Sequence, residues 1–355
     1  LTTMLKYYTR ACNFYYGSLS NKLVKTKRTL PLCGNNNISF DQIEIFSKNK
    51  KKITSKIINI DKINLLAKSI KIKIIQDIIK ITTKRKFLNK KNHILMGVLN
   101  MTPDSFSDGG KFNLEKKALK RISEMLSSGA DIIDIGGEST RPGSKIISSE
   151  IEWERVKNVI KKFKKKFPKA TLSIDTRKSL VMRNSIKCKA DIINDVSCFK
   201  FDKEAFNTIK NENMWKVIHH MQGTPQTMQN NPKYQHVLLD IYDFFEREIA
   251  NLKQHKYSNK IVLDPGIGFG KNLKHNLMIL NKISIFHSLG FPILIGTSRK
   301  KFINQISKNF DTKERLGGTL ASVLFSLSQG IKIFRIHNVE EVKQGILVFE
   351  TLLNK

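Results

Sequence analysis

Ile94-Leu95-Met96-Gly97-Val98-Leu99-Asn100-Met101-Thr102-Pro103-Asp104-Ser105-Phe106-Ser107-Asp108-Gly109-Gly110 changes character at a single residue. Ile94 to Leu99 is a short continuous apolar run, the composition of a strand buried on both faces. Asn100 to Gly110 is a loop rich in Asp, Ser and Gly that also carries one aromatic side chain, Phe106. In a parallel α/β architecture catalytic groups gather where strands end, and packing alone explains such a loop poorly. The stretch reads as one wall of an active site.

The same change recurs down the chain. Apolar runs stand at Ile94 to Leu99, Asp131 to Gly136, Leu172 to Asp175, Asp191 to Val196, Lys216 to His220, Lys260 to Asp264, Pro292 to Gly296 and Lys332 to His337. Between them lie stretches with apolar residues at three-and-four spacing, such as Leu114 to Ser128, Ile151 to Phe167, Val237 to Leu252, Leu273 to Leu289 and Glu314 to Ser328. Eight βα units over about 260 residues predict an α/β fold, a (β/α)₈ TIM barrel, across residues 91–355. A doubly wound open sheet is the alternative, but the Gly-rich phosphate turn it needs after its first strand is absent.

Residues 1–90 form a separate, basic N-terminal extension of uncertain fold. They hold 20 Lys/Arg against 4 Asp/Glu, so a quarter of the chain carries about half of its net charge of +33. A strand is expected near Ile38 to Phe46, and the Ile/Lys-rich stretch Leu65 to Ile81 suits either helix or strand. The acid-free start, up to Asp41, resembles a transit peptide, yet Tyr7, Tyr8, Phe14, Tyr15 and Tyr16 make it too aromatic for one. The lysines are scattered among Ile and Asn along the whole length, so the charge reads as compositional drift and not as a nucleic-acid groove. The field would still speed encounter with a phosphorylated substrate. No run of about 18 apolar residues exists to span a membrane. Cys12, Cys33, Cys188 and Cys198 form no metal or disulfide pattern, which points to a reducing, cytoplasmic setting.

A barrel demands that side chains acting together come from the C-terminal ends of different strands, and here they do. Asp175 and Asp264 end two buried strands, where a lone carboxylate costs several kcal/mol unless it is paired or hydrogen-bonded. With the amide of Asn194 and the donor of Lys300 they suit the edge of a planar heterocycle rich in N–H groups. Arg141, Arg335 and His337 gather on the same rim as an anion site. Asn100 offers an amide oxygen to a hard cation such as Mg²⁺, and the combination suits pyrophosphate. Two patterns are set aside. Gly266 to Asn272 has the wrong glycine spacing for a dinucleotide and lacks the Ser/Thr of a P-loop. His219 and His220 are adjacent on a strand, so they point to opposite sides.

Taken in order, these segments resemble the dihydropteroate synthase family over roughly residues 93 to 354. The pattern stands here as Asn100 to Gly110, Gly136-Gly137-Glu138-Ser139-Thr140-Arg141-Pro142-Gly143, Ser173-Ile174-Asp175-Thr176, Ile193-Asn194-Asp195 and His220-Met221-Gln222-Gly223, followed by Asp264 to Lys271, Gly296-Thr297-Ser298-Arg299-Lys300 and Arg335-Ile336-His337. The resemblance implies a Mg²⁺-dependent transferase that joins 6-hydroxymethyl-7,8-dihydropterin diphosphate to p-aminobenzoate, a sulfonamide target. It implies that Asp175, Asn194, Met221, Asp264, Lys300 and Arg335 hold the pterin. Phe106, Thr140, Pro142, Phe269 and Ser298 would shape the p-aminobenzoate pocket, and Asn100 with the metal, Arg141, Arg335 and His337 would hold the diphosphate. Asp108 would join Arg141, Lys300, Arg335 and His337 in catalysis by steadying the electron-poor centre. Relatives of this kind pair as homodimers through late helices, and neither nucleic acid nor membrane is expected as a partner. Met101 and Ile267 stand where Val and Phe are common, both conservative. Leu30-Pro31-Leu32 and Phe40-Asp41-Gln42-Ile43 are similar to an extra segment ahead of some bacterial synthases. A pterin-dependent methyltransferase is the rival enzyme, and a nucleic-acid binder is the rival from another class.

Overall fold

The computed structural model describes residues 5–88, 93–102, 111–140, 143–308, 311 and 314–353. The chain opens with β1 (Lys6–Tyr16), α1 (Gly17–Lys25), β2 (Leu30–Leu32), β3 (Asn35–Asn49), β4 (Lys52–Asn59) and α2 (Lys68–Thr82). These build an antiparallel sheet around the long β3, which pairs with β1 along one edge and with β2 and then β4 along the other. The aromatic start that argued against a transit peptide is therefore a strand. The Ile/Lys stretch is a helix, α2: Ile74, Asp77 and Ile81 fall on one face, and that face is buried.

The barrel follows, with strands β5 (Ile94–Asn100), β6 (Ile132–Gly136), β7 (Thr171–Asp175), β8 (Ile192–Asp195), β9 (Trp215–His219), β10 (Ile261–Asp264), β11 (Leu294–Ile295) and β12 (Ile333–Ile336). The helices are α3 (Lys111–Ser127), α4 (Ser149–Lys166), α5 (Ser179–Lys187), α6 (Ala205–Ile209), α7 (Val237–Lys253), α8 (Leu273–Asn281), α9 (Lys301–Ser307), α10 (Leu316–Leu327) and α11 (Val339–Leu353). All neighbouring barrel strands pair in parallel, in the order β10-β9-β8-β7-β6-β5-β12-β11. A parallel bridge from Leu263 to Ile293 closes the ring. The TIM-like barrel is thus the architecture, and the open sheet is not.

Strand alternation sorts the barrel side chains. Ile133, Ile135, Ile193, Ile218, Leu263 and Phe334 face outward and join the large core under the helices. Met96, Ile132, Ile192, Val217, Val262, Leu294 and Ile333 face inward and form an apolar floor. Phe87, from the segment entering the barrel, joins this floor and packs edge-on against Trp215 with ring centroids 4.6 Å apart. Two positions further along β6, β8, β9, β10 and β12, the inward side chains become polar.

One difference from the sequence expectation concerns the last third. The stretch expected as one helix from Leu273 to Leu289 is α8 followed by a 3₁₀ segment, Ile283–Leu289, in which every residue is buried. β1 and α2 cover that segment, which accounts for its burial: Ser284 Oγ donates to the carbonyl of Ala11 at 2.9 Å. Around it, Tyr8 packs edge-on against Tyr242 and donates to Asp243, while Lys6 and Lys48 pair with Asp240, Asp243 and Glu246 of α7. Asp131 and Asp191, at the opposite strand ends from the mouth, are structural: their carboxylates accept from the backbone N–H of Leu95 and Leu172.

Candidate active site

The inward polar layer sits directly above the apolar floor. Asp134 of β6, Asn194 of β8, His219 of β9, Asp264 of β10 and Arg335 of β12 have the same strand parity as the floor residues below them, and Asp175 of β7 lies in register with Gly136 and Asn194. Arg335 is the hub. Its Nε donates to Asp134 Oδ2 and its Nη2 to Asp175 Oδ2, both at 2.7 Å. Asn194 Nδ2 donates to the same Asp134 oxygen at 3.1 Å. Asp134 Oδ1 and Asn194 Oδ1 are buried with no hydrogen-bond partner. Each such group costs about 1–3 kcal/mol unless something fills it, and the open Asn194 oxygen suits a ligand that brings an N–H donor.

Asp264 has a double use. Its Oδ1 accepts the Gly266 N–H at 2.8 Å, which makes the turn that a structural reading of Asp264-Pro265-Gly266 requires. The other carboxylate oxygen lies 3.9 Å from His219 Nε2. Gly266 is obligatory here: its φ is +69°, and a Cβ would stand 2.0 Å from the His220 carbonyl oxygen. Lys300 Nζ lies over the Phe269 ring, 4.0 Å from its centroid, and Phe269 meets His219 edge-on. Met221 packs beside Phe269, Val196 and Met228. Ser298 Oγ accepts the backbone N–H of His337 and lies 3.0 Å from its Nδ1, which fixes that ring against the β11 loop. Asn100 ends β5 opposite Gly136.

The electrostatics follow from the crowding. Burial pushes the Asp175 carboxyl up to about 7, helped by the charges of Asp134, Glu152 and Asp195 and opposed by Arg335. Burial also lifts Asp264 to about 6, against the pull of the Gly266 N–H and Lys300. Lys300 is brought down to about 8 by burial and by Arg335, with Asp264 and Asp175 resisting.

The structure therefore brings Asp175, Asn194, Met221, Asp264, Phe269, Ser298, Lys300, Arg335 and His337 to one end of the barrel, with Asn100 at the end of β5 and Thr140 in the loop that follows β6. Phe106, Asp108, Arg141 and Pro142 lie outside the described residues. Glu138, in the second loop, faces away from the lumen. It closes a buried network with Arg177, Lys178 and Glu152 and accepts the Ile147 N–H, so it braces that loop. The adjacent histidines divide as alternation requires: His219 faces the lumen, while His220 packs on Phe244 of α7 and accepts from Lys271. Asn272 and His275 form a capping box at the start of α8, which accounts for the end of the glycine-rich stretch without a nucleotide.

Asp134 is the site residue that sequence reasoning missed. Its signal was an aspartate in the middle of an Ile-rich strand, at the parity of Ile132, where a buried carboxylate is not expected without a partner.

A closed parallel barrel with this cationic and carboxylate-lined mouth defines a pterin-binding class of enzyme, and the family described as "Pterin binding enzyme" matches residues 96–337. Dihydropteroate synthase from Escherichia coli K12 is 41% identical over 261 residues, 73% of this chain and 92% of the relative. The Yersinia pestis dihydropteroate synthase solved as a sulfonamide drug complex superposes with a TM-score of 0.70 at 38% identity, covering 74% of this chain and 95% of that one. The Xanthomonas albilineans synthase solved with 4-aminobenzoic acid gives 0.68 at 31% identity, covering 74% and 94%. The chain belongs to the dihydropteroate synthase family, with that activity in folate biosynthesis.

Proposed function

We propose that this chain condenses 6-hydroxymethyl-7,8-dihydropterin diphosphate with p-aminobenzoate and releases diphosphate and 7,8-dihydropteroate. The observation that carries the reading is the single lumen in which Asp175, Asn194, Asp264, Lys300 and Arg335 meet above a closed apolar floor. Asp175 and Asp264 accept pterin N–H groups, the free Asn194 oxygen accepts another, and Lys300 donates to a ring acceptor. Met221 and Arg335 flank the ring. On the rim Arg335 and His337, joined by Arg141, take the diphosphate. Thr140, Phe269 and Ser298, with Phe106 and Pro142 from the two loops, form the arylamine pocket.

The chemistry needs no protein nucleophile. As the pterin CH₂–O bond breaks, its electron pair leaves with the diphosphate, and cationic donors placed at the developing charge are worth a few kcal/mol each. Asp108 steadies the electron-poor methylene. The neutral aniline nitrogen, held in line by the pocket, forms the new C–N bond and gives its proton to water. No group of three or more His, Cys, Asp or Glu side chains among the described residues could hold a metal. Mg²⁺ accepts one protein amide with water and phosphate oxygens, so Asn100 would hold it, and the ion would offset charge on the diphosphate.

Apolar side chains exposed on α10 and α11, namely Phe325, Leu347, Val348 and Leu352, support a homodimer through these late helices. Four free cysteines support a cytoplasmic setting.

The purified 355-residue chain is expected to form dihydropteroate from the two substrates. Methyl transfer from methyltetrahydrofolate without this condensation would select the methyltransferase. The pH dependence has a defined sign. Asp175 and Asp264 must be ionised to accept N–H, so kcat/KM for the pterin substrate falls as pH drops through about 7 and 6. Lys300 must be protonated to donate, so kcat/KM falls again as pH rises through about 8. The expected profile is a narrow bell, and a flat profile between about pH 5 and 9 removes these three assignments.

A further inference from the structure

We infer that Asp134 is a positioning residue for the condensation, a cross-lumen tie that sets the attitude of Arg335 and Asn194 toward the pterin diphosphate. The inference rests on the proposed reaction and concerns a residue to which that reaction assigns no contact. Asp134 pairs with Ser173 in the β6–β7 ladder, whereas Asp175 pairs with Gly136. It therefore lies one residue pair, about 7 Å, deeper in the barrel than Asp175. Its side chain is fully buried.

The partners it holds are not sheet neighbours. β6 lies between β5 and β7, yet Asp134 Oδ2 reaches Arg335 on β12 and Asn194 on β8, each two strands away and on opposite sides. A carboxylate used only to neutralise Arg335 would need the first of these contacts alone. The second has a separate consequence: with Nδ2 committed to Asp134, the amide of Asn194 cannot rotate, and its Oδ1 stays in the lumen as an unpartnered acceptor. The first contact works with Asp175 in the same way. Nε and Nη2 of Arg335 are both taken by carboxylates, so the guanidinium plane is set and its remaining edge is what the rim offers to an anion.

Asp134 also faces Asp175, whose charged surroundings are Arg335 from β12, Asp134 from β6, Glu152 from α4, Asp195 from β8 and Lys300 at the mouth. Removing the Asp134 charge takes a like charge from beside Asp175 and leaves Arg335 to pair with Asp175 alone. Both changes favour the ionised form of Asp175.

The test is Asp134→Asn in the 355-residue chain. KM for the dihydropterin diphosphate is expected to rise roughly 10- to 100-fold through misplacement of Arg335 and Asn194. KM for p-aminobenzoate is expected to stay within about twofold, because its pocket lies in the loops above the strands. The acid limb of the kcat/KM profile is expected to move to lower pH. Should Asp134→Asn be recovered only as aggregate, Asp134→Glu serves: it keeps the charge but displaces the oxygen, so the pterin KM rises while the acid limb stays in place. A lowered Tm with unchanged KM values and an unmoved pH limb makes Asp134 a packing carboxylate and overturns the inference. Equal rises in both KM values do the same, since they mark general distortion. If the proposed reaction itself is wrong, the unaltered chain forms no dihydropteroate, an outcome distinct from either.

Discussion

Arg335→Ala is expected to lower kcat/KM by ~10³ or more, because it removes a donor that acts on the charge developing at the leaving group. The structure adds a cost to the fold. Arg335 is the counter-ion of two buried carboxylates, Asp134 and Asp175, at 2.7 Å each. Removing one partner of a buried pair typically destabilises by about 3–5 kcal/mol, since it strands the charge left behind. Part of that cost is relieved by Asp175 taking up a proton, which its buried position already favours. The variant should therefore unfold at a lower temperature as well as lose turnover. Arg335→Lys separates the two effects. A lysine keeps one positive charge beside the carboxylates but cannot reach both at once, so stability should largely return while turnover stays low. Steady-state kinetics and thermal unfolding on the two variants check this, and an unchanged rate in Arg335→Ala would remove the diphosphate assignment.

The second large effect is expected from deleting residues 1–88. The match to the pterin-binding family begins at residue 96, so the groups proposed for the chemistry all lie beyond the cut. Yet the sheet built by β1, β3 and β4 covers surface that the barrel cannot leave open. Every residue of Ile283–Leu289 is buried, Tyr242 lies beneath Tyr8, and Glu44 of β3 is paired with Lys282 beside that segment. The cut also removes Phe87, which helps seal the apolar floor against Trp215. Exposing this much apolar surface should lower Tm by more than ~10 °C or render the protein insoluble, while any folded fraction keeps its turnover. Thermal unfolding of the truncated and the 355-residue chains decides the matter. Equal Tm and equal activity would show that the extension is an appendage and not part of the barrel's packing.

Much of the catalytic end was legible because barrel topology links strand ends to function. Asp175, Asn194, Asp264 and Arg335 each sit at or beside the last residue of a short apolar run, and a parallel barrel brings such ends together whatever their distance in the chain. Reading was less secure where a short run is ambiguous. Pro292 to Gly296 yields only the two-residue β11, and the helical spacing from Leu273 to Leu289 continues through a break, because Ile283, Phe286 and Leu289, three apart, fit an α-helical template as well as the 3₁₀ segment they form. Glu138 shows the reverse limit: a polar residue in the right loop that turns inward to brace Arg177 and Lys178 and not toward the lumen.

From the sequence alone follow the eight βα units, the polar strand ends and the family, since apolar periodicity and motif order are properties of the linear chain. The tertiary structure alone decided that Asp134 ties Arg335 to Asn194, and that the N-terminal sheet and α2 cover the buried 3₁₀ segment Ile283–Leu289. The physical reason is the same in both cases. These contacts join strands that are not neighbours, or the N-terminal sheet to a barrel segment far along the chain, as Ala11 meets Ser284, and local preference carries no record of which distant surface will supply the partner.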